Sequence, residues 1–249
     1  EFLKKHQGEY LFGEVYPLAS RIRERFAAEP FVEAVEICGS LRRRKEIVRD
    51  IDILVGAVDW RAVSERFKAM PEVEEVIAEG ETKTSCRFTS GIEADLRVVR
   101  TESFPAAFLY FTGSKEHNVR LRGLAKRMGL KLNEYGLFHD EDALSCVDEA
   151  SVYGKLGLSF IPPELREDMG EIEAAQQGLL PDLVRYEDVQ GIFHVHTTYS
   201  DGRATIEEVA EAAGRLGLSY VGISDHSRSA YYAGGLKPDD IRRQWEEID

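Results

Sequence analysis

The sequence predicts an α/β protein of the α+β kind: a mixed sheet with helices packed on it, a smaller α/β region, a linker, and a parallel strand–helix–strand unit. Three observations carry this. Strand-like apolar runs fall near residues 34–39, 49–57, 83–89 and 92–100, with a helical pattern near 60–69 between the second and third. Two helical patterns follow, Glu102–Tyr110 and Lys115–Met128, broken at Gly113. Near the end, strand, turn, helix and strand succeed one another with polar residues at the strand ends, the pattern of a parallel unit whose ligands gather at the carboxyl edge.

The elements follow in order. Leu11, Val15, Leu18, Ile22 and Phe26 recur at spacings of three and four and predict an amphipathic helix from Tyr10 to Ala28. Glu1 already sits in a helical pattern, so the sequence reads as a piece of a longer protein. The second of the strands includes Asp50-Ile51-Asp52-Ile53-Leu54-Val55, and the fourth Ile92-Glu93-Ala94-Asp95-Leu96-Arg97-Val98-Val99. From Ser159 to Asp188 the composition shifts to Pro162-Pro163, an acidic run from Glu164 to Glu173, Gly178 and Pro181, read as a linker holding one short helix. Beyond it, Gly191–His196 reads as a strand, Asp201-Gly202 as a turn, Thr205–Leu216 as a helix and Tyr220–Ser224 as a second strand ending in Asp225-His226.

Composition narrows the function classes. At 249 residues the chain suits one large or two small domains. No run is long and apolar enough to span a membrane and no charged-then-apolar leader is present, so a cytoplasmic protein is expected. The three cysteines, Cys38, Cys86 and Cys146, are scattered and without zinc-finger spacing, which fits a reducing compartment. A net charge of −13 excludes coating nucleic acid through the overall field, so any phosphate affinity is local. Two basic clusters offer it: Arg42 to Lys45, and Arg120, Arg122, Lys126, Arg127 and Lys131.

The chemistry concentrates in one stretch. Side chains alternate faces along a strand, so Asp50 and Asp52 share a face. Carboxylates held that close repel unless a cation lies between them, which points to divalent metal. Just upstream, Gly39-Ser40 and the basic cluster suit phosphate, so metal ligands and anion ligands meet, as nucleotidyl transfer requires. Asp95, on the polar face of its strand with Glu93 and Arg97, is the expected third carboxylate. A second cluster, His194, His196, Asp201 and His226, offers imidazole and carboxylate ligands suited to Zn²⁺ or Mn²⁺.

On these residues the chain resembles the family X DNA polymerases, the group that includes DNA polymerase beta. More narrowly, it is similar to the bacterial members with a C-terminal polymerase-and-histidinol-phosphatase (PHP) domain. Gly39, Ser40, Asp50 and Asp52 match the nucleotidyltransferase signature, and Tyr110-Phe111-Thr112-Gly113-Ser114 with Asn118, Arg122 and Asn133-Glu134-Tyr135 matches the thumb. The resemblance implies the end of a fingers subdomain over 1–32, a palm over 33–100, a thumb over 101–158, a linker over 159–188 and the start of a PHP domain over 189–249.

It also implies roles. Asp50, Asp52 and Asp95 hold two Mg²⁺ or Mn²⁺ ions, and Asp95 assists deprotonation of the primer 3′-hydroxyl. Ser40, Arg43 and a nearby helix N-terminus hold the triphosphate tail, with Gly39 in the same turn. Tyr110 and Phe111 pack near the sugar, with a cis peptide between Gly113 and Ser114, while Asn118 and Arg122 reach the nascent pair and the template. Lys115 and Val119 depart from DNA polymerase beta, which has an acidic and a basic residue there. Ile192 stands where PHP relatives often have Asp.

The partners so implied are gapped or primed DNA and deoxynucleoside triphosphates, with the protein a monomer. The expected activity is templated nucleotide addition at short gaps in repair. The later ligands of the PHP barrel lie beyond Asp249, so 3′-to-5′ exonuclease or other phosphoesterase activity is expected of a full-length relative and not of this stretch alone. The rivals are a small-molecule or RNA nucleotidyltransferase, a PHP phosphoesterase whose first half only binds DNA, and a non-catalytic DNA-binding piece.

Overall fold

The computed structural model describes residues 8–249; the sequence begins seven residues earlier, so the helical pattern noted at Glu1 lies outside the described residues. The chain divides into two compact units, residues 1–180 and 181–249.

In the first unit a short strand β1 (Tyr10–Leu11) leads into helix α1 (Phe12–Ala27), which buries Val15, Leu18, Ala19, Ile22 and Phe26. Strand β2 (Ala34–Ile37), the single-turn helix α2 (Gly39–Arg42), strand β3 (Ile47–Val48), strand β4 (Asp50–Gly56) and helix α3 (Trp60–Lys68) follow. Asp59 caps α3 by accepting from the Arg61 and Ala62 amides, satisfying donors that the first helical turn leaves unpaired. Strands β5 (Val73–Glu79), β6 (Lys83–Phe88) and β7 (Glu93–Val99) complete a five-stranded sheet of order β2-β4-β7-β6-β5. Only β4 and β7 run parallel; the other neighbours are antiparallel, so the sheet is mixed.

The strand β5 is absent from the sequence-based expectation. It is an edge strand whose Glu74, Glu75 and Glu79 face solvent, and so many exposed charges hide the alternation that marks a half-buried strand.

One face of the sheet is apolar. Ile51, Ile53 and Val55 of β4, Ala94, Leu96 and Val98 of β7, and Cys86 and Phe88 of β6 pack against α1 and α3, forming the larger core. Each large aliphatic or aromatic side chain among them contributes roughly 1.5–3 kcal/mol when taken out of water. The alternate positions, among them Asp50, Asp52, Asp95 and Ser85, therefore lie on the opposite face. That face is covered only in part, by helix α4 (Phe104–Thr112), through a small cluster of Cys38, Leu54 and Ala107 with Phe104, Phe108 and Phe111 around it.

A second core begins with α4 and helix α5 (Lys115–Arg127), which Ser114 caps through the His117 amide. It continues through the antiparallel meander β8 (Leu130–Asn133), β9 (Gly136–His139) and β10 (Asp142–Leu144), helix α6 (Glu149–Lys155) and helix α7 (Glu171–Gln177). At its centre His117 is buried, its Nδ1 2.6 Å from Glu171 and its Nε2 2.9 Å from the Tyr153 hydroxyl. A neutral imidazole donating to Glu171 and accepting from Tyr153 satisfies both bonds, and burial holds the His117 pKa below its ordinary value despite the carboxylate.

The stretch expected to be a linker from residue 159 differs in its first part. Ile161, Ile172 and Ala175 are buried in this second core, and the division between units falls after Leu180. Its Pro and Glu content mimics a linker because most of its acids face outward or into ion pairs, while its apolar anchors are few: Ile161, and then Ile172 and Ala175 on one short helix.

The second unit holds β11 (Gly191–Val195) parallel to β12 (Tyr220–Ile223), joined through helix α8 (Ile206–Arg215), and ends in helix α9 (Pro238–Ile248). Thr205 and Glu208 form a reciprocal cap at the start of α8.

Candidate active site and metal centre

The parallel register of β4 and β7 sets Asp52 directly beside Asp95 and Asp50 beside Glu93, so three of the expected metal ligands share one sheet face. The carboxylates do not converge on a point. Among the described residues the one acidic or imidazole group whose ligand atoms all lie within 4.8 Å of one another is elsewhere, in the second unit. Here Lys83 reaches across from β6 and places its ammonium 2.5 Å from Asp95 Oδ2, while Ser85 donates to Oδ1 at 2.6 Å.

The charge balance is nevertheless that of a cation site. Burial, then the Asp50 and Asp95 charges, push the Asp52 pKa up to about 7, with Arg97 and Lys83 opposing. Burial, then Asp95, raises that of Asp50 as well. Two acids that resist ionisation beside a third carboxylate, on a face with two basic side chains to offset them, fit divalent metal, which removes the imbalance without a proton.

The Gly-Ser turn is built against this face. Gly39 has φ +60°, and a Cβ there would fall 2.1 Å from Asp52 Oδ2, so only glycine lets the turn close over the carboxylate. The Cys38 amide donates to the Asp52 carbonyl at 2.8 Å, tying turn to strand. Gly39, Ser40, Arg43, Asp50, Asp52, Tyr110, Phe111, Gly113, Lys115, Asn118 and Arg122 line one open cavity of about 400 Å³. All eight expected nucleotide-binding positions except Ser114 thus border it, together with two of the three aspartates. Ser114 instead caps α5, and the Gly113–Ser114 peptide is cis. The helix expected to face the triphosphate, α2, is a single turn of four residues.

Within the cavity Asn118 donates to the Tyr110 carbonyl at 2.7 Å, and among the described residues its buried Oδ1 has no partner. Tyr110 and Phe111 meet edge to face, and the Arg97 guanidinium lies 4.4 Å above the Phe111 ring. Arg122 also lines a neighbouring groove with Val119, Lys126 and Lys131, so a basic surface runs from the cavity along α5. Arg120 turns away from it to pair with Glu173 and Asp168.

The basic cluster after the turn is arranged differently from expectation. Its three arginines are engaged by acids more than a hundred residues away. Arg42 forms a two-pronged pair with Glu149, donates to Thr112 at 2.6 Å, and stacks 3.4 Å above Phe108. Arg43 pairs with Glu167 at 2.8 Å and Arg44 with Glu164 at 3.2 Å. Glu149 also receives Arg166, which is fully buried, at 2.7 Å. Burial alone would raise the Glu149 pKa, but Arg42 and Arg166 outweigh it and hold the carboxyl below its ordinary value. No spacing in the sequence announces these pairs, nor the parts played by Lys83 and Ser85.

In the second unit His196 Nδ1 lies 2.7 Å from Asp201, and His226 Nε2 3.5 Å from the other oxygen of the same carboxylate. These three form the group with metal-ligand proximity. His194 stands outside it: the ladder between β11 and β12 slips between Ile192 and Val195, and His194 takes φ +63°, which turns it out of simple alternation with His196. Their rings remain 5.1 Å apart. Asp225 does not act beside them as a free acid, because it accepts from Thr197, Ser200 and Gln244.

The first unit thus has the fold of a nucleotidyltransferase of the DNA polymerase beta type, and the second opens a metal-binding (β/α) domain. Comparison with known proteins agrees. The DNA polymerase beta thumb family matches residues 107–167, and the PHP domain family residues 193–236. The DNA polymerase/3′-5′ exonuclease PolX of Bacillus subtilis is 34% identical over 249 residues, covering 98% of this chain and 43% of that protein. The repair DNA polymerase X of African swine fever virus (strain Badajoz 1971 Vero-adapted) is 25% identical over 164 residues, 60% of this chain and 94% of that protein. The solved polymerase beta of Leishmania infantum shares the fold with a TM-score of 0.55 at 23% identity, over 64% of this chain and 77% of that one. The chain belongs to the family X DNA polymerases that carry a PHP domain. It spans less than half the length of the Bacillus relative.

Proposed function

We propose that this chain is a DNA-directed DNA polymerase that fills short gaps during repair, extending a primer 3′-end with deoxynucleoside triphosphates. The observation that carries the reading is the pairing of Asp52 with Asp95 beside a cavity lined by Ser40, Arg43, Tyr110 and Asn118.

Asp50, Asp52 and Asp95 are the residues that would hold two Mg²⁺ or Mn²⁺ ions. Such ions supply a lowered pKa at the primer hydroxyl and charge relief on the pyrophosphate leaving group. Ser40 and Arg43 bind the triphosphate tail, the arginine as a charge-assisted donor. Tyr110 and Phe111 bound the sugar, and the orphaned Asn118 Oδ1 takes a donor from the base edge. Asp95 receives the proton of the 3′-hydroxyl on the oxygen that Lys83 now covers, so Lys83 must swing aside as the primer end arrives. Arg122, Lys126 and Lys131 hold template phosphates through their local charge, against a net charge of −13 over the whole sequence. The enzyme works as a cytoplasmic monomer on gapped or primed DNA.

His196, Asp201 and His226, with His194 at their edge, support a second reading for the complete protein: Zn²⁺- or Mn²⁺-dependent phosphoester hydrolysis, as 3′-to-5′ exonuclease.

Primer extension on a gapped duplex tests the polymerase reading. Asp52→Ala and Asp95→Ala abolish extension while melting stays cooperative. Normal extension by either variant, or labelling of a small acceptor without template, refutes it.

A further inference from the structure

We propose that Glu167 is a positioning residue that aims the Arg43 guanidinium at the triphosphate; this rests on the nucleotidyl-transfer reading of the cavity. Arg43 is nearly buried and held by two hydrogen bonds, in a space that a side chain at position 113 would crowd. Its Nε donates to Glu167 at 2.8 Å, its Nη1 donates to the Thr112 carbonyl at 2.6 Å, and a Cβ at Gly113 would come within 3.1 Å of Nη1. Among the described residues no protein acceptor takes Nη2. Arg43 lines the cavity and Glu167 does not, so the carboxylate holds the rear of the fork and leaves the front for an anion.

The segment that carries Glu167 is rigid for reasons of its own. The preceding residue, Arg166, is buried, bonded to the Ile161 carbonyl and to Glu149, and its own carbonyl accepts from the Ser114 amide at 3.0 Å. The fixed strap thereby sets the orientation of a side chain that would otherwise sample many rotamers. A guanidinium locked before the ligand arrives loses less freedom when the ligand binds. Lys45, 3.7 Å from the same Glu167 oxygen, shares the charge and keeps the pair from becoming neutral.

The alternative use of such an acid is to occupy the phosphate subsite and compete for Arg43. The two differ in sign: removing a competitor tightens anion binding, whereas removing a support weakens it.

Calorimetric titration with inorganic tripolyphosphate in Mg²⁺ separates them, using wild type, Glu167→Ala, Glu167→Gln and Glu167→Asp. The expected result is binding weakened about tenfold in Glu167→Ala, the scale of one charge-assisted hydrogen bond. Glu167→Gln, whose amide oxygen still accepts from Nε, stays within about twofold. Glu167→Asp keeps the charge but withdraws the acceptor by one methylene, and weakens binding as well. In an Arg43→Lys background, which lacks the fork, Glu167→Ala has no further effect. Wild-type affinity or tighter in Glu167→Ala or Glu167→Asp overturns the positioning role alone, as does an equal loss in the Arg43→Lys background. A wild-type chain that takes up no tripolyphosphate overturns the reading of the cavity and this role with it.

Discussion

Asp52 and Asp95 are register partners on the parallel strands β4 and β7, with Lys83 capping the second of them through a 2.5 Å contact. Burial, then the neighbouring Asp50 and Asp95 charges, push the Asp52 pKa up to about 7. An ionised carboxylate here is held in an unfavourable place, and the site is ready for a cation that would repay the cost.

Neutralising that carboxylate should stabilise the ion-free protein. Asp52→Asn is expected to raise the melting temperature in chelator at pH 8 by roughly 4 °C, about 1 kcal/mol or somewhat more. Mn²⁺ should stabilise wild type more than the variant, since the His196, Asp201 and His226 site is the same in both. Thermal melting with and without the ion checks both halves.

The clamp between the phosphate turn and the second core predicts an acid response. The Glu149 pKa lies below its ordinary 4.5 when folded, so its stabilising share is complete above that pH and is lost as pH falls through the folded value. Glu149→Gln strands Arg42 and Arg166 and should cost roughly 3 kcal/mol at pH 7. Urea unfolding followed from pH 7 to pH 3 should show wild type converging on the variant in acid.

Much of this was legible in the sequence, because the signals involved are local. The Asp50-Ile51-Asp52 alternation, the Gly39-Ser40 turn and the thumb motif from Tyr110 to Ser114 each depend on spacing within a few residues, and six of the seven expected nucleotide positions after Gly39 meet in one cavity. The partners of Arg42, Arg43 and Arg44 were hidden because Glu149, Glu167 and Glu164 lie 107 to 124 residues further on, in stretches whose acidity reads as solvated surface. Lys83 and Ser85 were hidden for a related reason. Their meaning comes from the β6–β7 register, which places Ser85 opposite Asp95 and which no local pattern states. His194 shared a predicted face with His196 until the register slip beside Ile192 turned it aside.

The second unit makes its own prediction. Calorimetric titration of Zn²⁺ into the chain should show a site lost on His226→Ala and strongly weakened on Asp201→Asn, since the Asp201 carboxylate touches both imidazoles. His194→Ala should weaken it less, because that ring lies outside the triad.

Polymerisation at this site requires that the carboxylates of β4 and β7 share two ions. Anomalous scattering from a crystal soaked with Mn²⁺ and a non-hydrolysable deoxynucleoside triphosphate measures it directly. Two peaks are expected beside the cavity, both within about 2.0–2.6 Å of Asp50 and Asp52 oxygens and one also touching Asp95, with Lys83 displaced. A single ion, or two that leave Asp95 bonded to Lys83, would contradict it.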